Sequence, residues 1–196
     1  LGSAHPDALS SYNNIAVLLQ ALGDHEEAEV FYRRSLKGRE ALLGPTHLDT
    51  LQSLNNLAMM LQRSGKHEEA ESLCRRALEA KSATLGPAHP STLVSLNNLA
   101  VLLQTLGKFT EAEPLYQRAL GGREVSLGST HPDTLQAHNN LGMLFKAMGK
   151  YWEAEMSYWR SLEGCRETLG PIHPDTIAVQ TNLVVLLQTM GKHTEA

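Results

Sequence analysis

The sequence predicts an all-α protein made of tandem antiparallel helix pairs. Three observations point there. A histidine recurs every 42 residues, at His5, His47, His89, His131 and His173, without insertion or deletion. A fixed period of this size marks an array of one supersecondary unit. Within each period the apolar residues fall at helical spacing, and no segment shows the alternation of a half-buried strand. We read one array over residues 1–196, with repeats at about 5–46, 47–88, 89–130 and 131–172 and an incomplete copy at 173–196.

The second repeat shows why each element forms. His47-Leu48-Asp49-Thr50 supplies turn and helix-start chemistry, and the Asp (or Ser elsewhere) is the expected acceptor for orphan N–H groups. Leu51, Leu54, Leu57, Ala58 and Leu61 then make one apolar stripe of a first helix. Ser64-Gly65-Lys66 ends it, with Gly65 suited to a left-handed position, as are Gly23, Gly107, Gly149 and Gly191. A second helix is expected from His67 to Leu85, its apolar face built on Ala70, Leu73, Cys74, Ala77 and Leu78. Glu68, Glu69 and Glu71 favour its start through the helix dipole. Pro114 is expected in the first turn of the third repeat's second helix, where a missing N–H costs little. Small residues recur where paired helices must cross closely: Ala16, Ala58, Ala100 and Gly142 on first helices, Ala28, Ala70, Ala112 and Ala154 on second ones.

Composition narrows the function classes. Hydrophobic residues make up 42 % of the chain but aromatics only 5 %, so the core must be mainly Leu and Ala. A net charge of −4 without any basic run argues against nucleic acid. No apolar stretch approaches the ~20 residues of a membrane span, and no secretory leader is visible. Cys74 and Cys165 share no metal-like spacing and read as free thiols in a reducing, cytoplasmic compartment. Periodic histidines on neighbouring repeats stand on the order of 10 Å apart, too far to share an ion, so they are read as turn or inter-repeat residues. His25, His67 and His193 are read as packing residues in the tight turn. No nucleophile–base pair, paired carboxylates or phosphate loop stands out, so neither catalysis nor a cofactor is expected.

The pattern LG..HP.TL....NNLA.LL...GK..EAE.LY.RAL, with Leu99-Ala100, Gly107, Ala112, Tyr116 and Ala119, resembles a tetratricopeptide repeat. The 42-residue form is similar to the repeats of kinesin light chains and nephrocystin-3-like proteins. The resemblance implies a right-handed superhelix, an α-solenoid, whose first helices line a concave groove for an extended peptide or partner protein. The kinesin light chains' heptad coiled coil is not present in these residues.

Asn13-Asn14, Asn55-Asn56, Asn97-Asn98 and Asn139-Asn140 recur on the first helices, with Thr181-Asn182 as an imperfect fifth copy. Asn is a mediocre helix former, so its recurrence asks for a reason. By the resemblance, Asn14, Asn56, Asn98, Asn140 and Asn182 point into the groove, where an amide can pair with a peptide backbone. The competing reading gives these amides hydrogen bonds within or between repeats, and for the first Asn of each pair that reading leads. Helical spacing adds Val17, Met59, Val101, Met143 and Val185, then Gln20, Gln62, Gln104, Lys146 and Gln188. Arg63 and Lys146 are the expected cations, too few for the clamp that captures a C-terminal carboxylate.

Two departures from the repeat stand apart. Gly38, Gly122 and Gly164 lie inside second helices, at a cost of about 1 kcal/mol each relative to Ala. Close approach of the next repeat is favoured over local softness. Trp152 and Trp159, seven apart, share an outer face; packing against the fifth repeat is favoured over a second contact surface.

The expected function is a non-catalytic scaffold, in its concrete form a kinesin-light-chain-like cargo adaptor segment. The alternative is a sensor or oligomerisation array of a signalling protein whose catalytic domain lies outside this chain. Leu1-Gly2 and His193–Ala196 match the end and the middle of a repeat. We therefore expect a piece of a longer array, with end-to-end self-contacts near Ala196.

Overall fold

A computed structural model describes residues 5–191; His193 and Ala196 lie outside them. The described residues hold nine helices and no strand: α1 (Pro6–Leu22), α2 (His25–Leu43), α3 (Leu48–Arg63), α4 (His67–Leu85), α5 (Pro90–Thr105), α6 (Phe109–Leu127), α7 (Pro132–Ala147), α8 (Tyr151–Thr168) and α9 (Pro174–Thr189). They divide into two compact units, residues 1–102 and 103–196, with the division inside α5. In each unit, consecutive helices pack as antiparallel neighbours. Leu9 of α1 meets Ser35 and Gly38 of α2, while Gln20 at the other end of α1 meets Tyr32.

The turn between paired helices is set by one glycine. Gly65 takes φ 76°, a region other residues rarely adopt. Its N–H then donates to Gln62 O at 3.2 Å while Lys66 N–H reaches Leu61 O at 2.9 Å, satisfying carbonyls the helix end would otherwise orphan.

The joint between repeats differs from expectation in one atom. The N-cap acceptor is the histidine Nδ1, not the Asp or Ser side chain. Asp49 N–H donates to His47 Nδ1 at 3.2 Å, and the bond recurs from Asp7 to His5, Ser91 to His89, Asp133 to His131 and Asp175 to His173. The histidine backbone is extended (φ −64°, ψ 142° at His47), so the ring folds over the first turn. The aspartates then sit inside that turn, where their charge meets the helix dipole. Thr50 closes the loop by donating to Gly44 O at 2.8 Å, as Thr92 does to Gly86 O and Thr176 to Gly170 O.

Packing follows the large-against-small rule. Ala16, Ala58, Ala28, Ala70, Ala112 and Ala154 are all buried. At Gly142 an added Cβ would stand 2.7 Å from the Tyr158 ring, so the larger aromatic is matched by the smallest residue. Gly38 and Gly164 are places of close approach, but the neighbour is the first helix of the same hairpin and not the next repeat. An added Cβ would lie 2.2 Å from Leu9 Cδ2 at Gly38 and 2.3 Å from Leu135 Cδ2 at Gly164. Ser35 and Ser161 lie on the same helices and donate to Leu9 O and Leu135 O. Pro114 stands deeper in its helix than expected. It is the sixth residue of α6, so Thr110 O loses its helical donor. Both residues are exposed or half-buried, and water can take that carbonyl, so α6 continues to Leu127.

Candidate functional site

In each unit the first helices carry the residues singled out by the sequence. In the N-terminal unit, Asn56 Nδ2 donates to Asn13 Oδ1 at 2.8 Å, and Asn56 Oδ1 accepts from Gln52 Nε2 at 3.0 Å. The C-terminal unit repeats the rung: Asn182 Nδ2 donates to Asn139 Oδ1 at 3.0 Å, and Gln136 Nε2 donates to Asn140 Oδ1 at 2.9 Å. The first Asn of a pair thus turns inward, with Asn55 and Asn139 buried. The second stays outward: Asn14 is exposed, and Asn56, Asn98, Asn140 and Asn182 are half-buried. A primary amide has two N–H groups and two acceptor lone pairs. Asn56 uses one of each in these bonds and keeps one of each.

Each unit carries exposed apolar side chains beside its amides. Val17 is 48 % exposed, Met59 and Met143 43 %, and Val185 42 %, although each belongs to a helix with a buried opposite face. Gln104 is partly engaged already, its Oε1 accepting from the Tyr116 hydroxyl at 2.9 Å, as Gln20 does from Tyr32 at 3.0 Å. Gln62 and Lys146 are half-buried and Arg63 exposed. Acidic residues on α1, α3, α7 and α9 are confined to the first turns. Among the described residues, the first helices of each unit therefore offer amides, small apolar side chains and scattered cations, with their carboxylates kept to the helix starts.

The structure also shows residues that the sequence reading missed. Gln52 and Gln136 brace the second Asn from one turn earlier. Arg39, Lys81 and Arg123, equivalent positions of successive repeats, join a second helix to the next first helix. Arg39 Nη1 donates to Asp49 O and Ser53 Oγ, both at 2.9 Å. Lys81 Nζ donates to Ser95 Oγ at 3.0 Å, and Arg123 Nη1 to Asp133 O at 2.9 Å. Burial holds the Lys81 ammonium below its usual range. The 42-residue recurrence of a cation was the available signal.

On the opposite face, Arg33 Nη1 meets Glu69 Oε1 at 2.7 Å and its Nη2 meets Glu29 Oε1 at 2.8 Å, while Lys66 holds Glu29 Oε2 at 2.8 Å. In α8 that face is aromatic: Trp152 is 66 % exposed and Trp159 37 %. Burial pushes the Cys74 thiol up to about 11 and raises that of Cys165, so neither is a thiolate at neutral pH. No group of His, Cys, Asp and Glu among the described residues could hold a metal ion. No described helix is long and apolar enough to cross a membrane.

Comparison with known proteins places this architecture. The tetratricopeptide repeat family model matches residues 7–83, 49–124 and 96–164. Among solved structures, the nearly identical TPR-like repeats of a putative kinesin light chain from Podosopora anserina are similar at TM-score 0.86 and 28 % identity, over 97 % of this chain and 90 % of that one. A substituted form of the same repeats is similar at TM-score 0.87 and 26 % identity, over 100 % and 91 %. BtubC (BKLC) from P. vanneervenii shares the fold at TM-score 0.85 and 24 % identity, over 97 % and 76 %. No curated protein matches by sequence. Tetratricopeptide proteins are generally non-catalytic scaffolds for protein interaction, and the amide rungs, glycine turns and Ala-based crossings described above are built on that helix-pair architecture. By the family model that spans most of its length, this chain belongs to the tetratricopeptide repeat family.

Proposed function

We propose that this chain is a non-catalytic scaffold that holds an extended peptide, or a partner protein's extended segment, along its first-helix face, as a cytoplasmic kinesin-light-chain-like cargo adaptor segment. One observation carries the reading. In each unit a second-position amide, Asn56 on α3 and Asn182 on α9, stands with further hydrogen-bonding capacity one turn before an exposed apolar side chain, Met59 or Val185. An extended peptide presents backbone N–H and C=O groups that amides can pair with, and side chains that small apolar spots can seat. Asn14, Asn56, Asn98, Asn140 and Asn182 are the backbone contacts in this reading. Gln62, Arg63, Gln104 and Lys146 set side-chain preference, and Met adapts to varied ligands. Similarity to a putative kinesin light chain supports the adaptor form.

The test replaces Asn56, Asn98 and Asn140 together by Ala, with helicity checked by circular dichroism and binding measured on a peptide library. Three lost hydrogen bonds, at about 0.5–1.5 kcal/mol each, should weaken selected peptides by tenfold or more. Unchanged binding on a folded triple variant would remove the amides from the site.

A further inference from the structure

His138 is a core residue of the wrong kind. Its equivalents are Tyr12, Leu54, Leu96 and Gln180; Leu54 and Leu96 are each 1 % exposed or less, Tyr12 is half-buried and Gln180 exposed, and His138 itself is 9 % exposed on α7. Its Nε2 lies 3.4 Å from Glu124 Oε1 of α6, yet it is buried without a formed hydrogen bond. One turn earlier on α7, Thr134 Oγ1 is also buried without a partner, whereas Thr50, Thr92 and Thr176 all close their loops. The charges acting on the imidazole are the Glu124 carboxylate from α6 and the Arg160 guanidinium from α8. A polar, incompletely satisfied cluster thus occupies the α6–α7–α8 junction, where the equivalent α2–α3–α4 junction has Leu54.

We propose that His138 is an acid-sensitive packing switch of the C-terminal unit: protonating its imidazole loosens α7 from α6 and α8, while the N-terminal unit is left unchanged. A neutral ring tolerates this junction, and an imidazolium must be desolvated there. Glu124, at 3.4 Å, offsets that cost only in part, and Arg160 repels. Burial is the largest influence on the ring and holds its titration below the ordinary His value, with Glu124 opposing and Arg160 assisting. A folded-state value below the unfolded one means that the unfolded chain binds the proton more readily. Stability of this unit is therefore undiminished above the ordinary His value, about 6.5, and is lost as pH falls from there toward the folded value. Asn139, the acceptor of the Asn182 rung, is the next residue on α7. Acid release of a groove ligand from this unit would follow, and that consequence alone rests on the scaffold reading.

The experiment compares amide hydrogen exchange of α7 with that of α3 in the whole chain at about pH 7.5 and about pH 5.5. The ratio of α7 to α3 opening should rise in acid, by up to tenfold for each pH unit separating the folded and ordinary titrations. His138→Leu, which installs the residue of the second and third repeats, should abolish the rise. His138→Gln should do so too, without adding an apolar contact, and Glu124→Gln should enlarge it. An NMR titration placing the ring at or above the ordinary His value, or an unchanged acid response in both His138 variants, would overturn the proposal. Loss of peptide binding at neutral pH in the triple Asn variant tests the scaffold reading separately.

Discussion

The α2–α3 junction and the α8–α9 junction are the same place in the repeat, held together by opposite chemistry. From α2, Arg39 reaches Asp49 O and Ser53 Oγ of α3 and, at 3.3 Å, Ser10 Oγ of α1. Between α8 and α9 the equivalent of Arg39 is Cys165 and that of Ser53 is Val179, both buried. Val179 joins a cluster with Tyr158, Leu162, Leu183, Leu186 and Leu187, backed by Phe145 and Met190. Both junctions join a second helix to the first helix of the next repeat. What differs is whether a cation bridges to a carbonyl and a hydroxyl or apolar side chains close the gap. The repeat geometry thus fixes where a junction lies and leaves its chemistry free.

That contrast predicts a difference in cost. Leu183→Ala in the apolar junction removes a side chain that is 3 % exposed from the centre of a cluster. Transfer and cavity terms together should cost about 2–5 kcal/mol. Arg39→Ala in the polar junction removes three hydrogen bonds; Asp49 and Ser10 are exposed to water, and buried Ser53 Oγ keeps Ser35 Oγ at 3.5 Å, so about 1–3 kcal/mol is expected. Denaturant unfolding followed by exchange in each unit separates the two. Equal losses would mean that the polar and apolar junctions are energetically interchangeable.

These same two junctions show what is legible in the residues. The helices, their glycine stops and the small-residue crossings follow from local patterns, and α4 begins and ends at the residues expected for it. The cap is ambiguous in the sequence because Asp and His both recur, and only the extended backbone at His47 shows which side chain folds over the turn. The period does not say which neighbour approaches Gly38; the position of Leu9 does. The Asn pairs announce themselves by recurrence, but the rung from Asn56 to Asn13 joins residues 43 apart in sequence and needs the stacked repeats to be seen. The Arg39 bridge is hidden for a related reason. Cations on helix ends are usually solvated, and only the next helix turns this one into a junction.

Lys81 offers a finer test between the two chemistries. It is 2 % exposed, yet its ammonium has one close partner, Ser95 Oγ, and a distant one, Ser91 O at 3.5 Å. Lys81→Met converts the α4–α5 junction toward the apolar type. Ser95 can then donate back to Ser91 O, as Ser11 does to Asp7 O at 2.8 Å in α1. The orphaned acceptor is thereby recovered, and the change should cost less than about 1 kcal/mol, well below Arg39→Ala. A loss as large as that of Arg39→Ala would show that the charge itself, and not its shape, holds this junction.

The smallest expected effect lies in the surface charges that the N-terminal unit arranges around an arginine. Arg33 holds Glu69 and Glu29 together, whereas the equivalent residue of α8 is Trp159. Hydrogen bonding to Arg33 is the main cause that keeps the Glu69 carboxyl below its usual range. Burial pushes the Glu29 carboxyl upward, but Lys66 and Arg33 together outweigh it and leave it low as well. A depressed carboxylate contributes stability above the ordinary Glu value, about 4.3, and loses it as pH falls through the folded value. Arg33 and Glu69 are over two-fifths exposed, so this increment should be on the order of 0–1 kcal/mol and should shrink in salt. Arg33→Met should remove the part of acid sensitivity that appears below the Glu range and leave the higher range untouched. The C-terminal unit should behave in the reverse order, responding first in the His range through His138 and lacking the Arg33 increment altogether. If exchange in α2 and α4 of the Arg33→Met chain changes already between about pH 7 and about pH 5, the acid responses of the two units do not have separate origins.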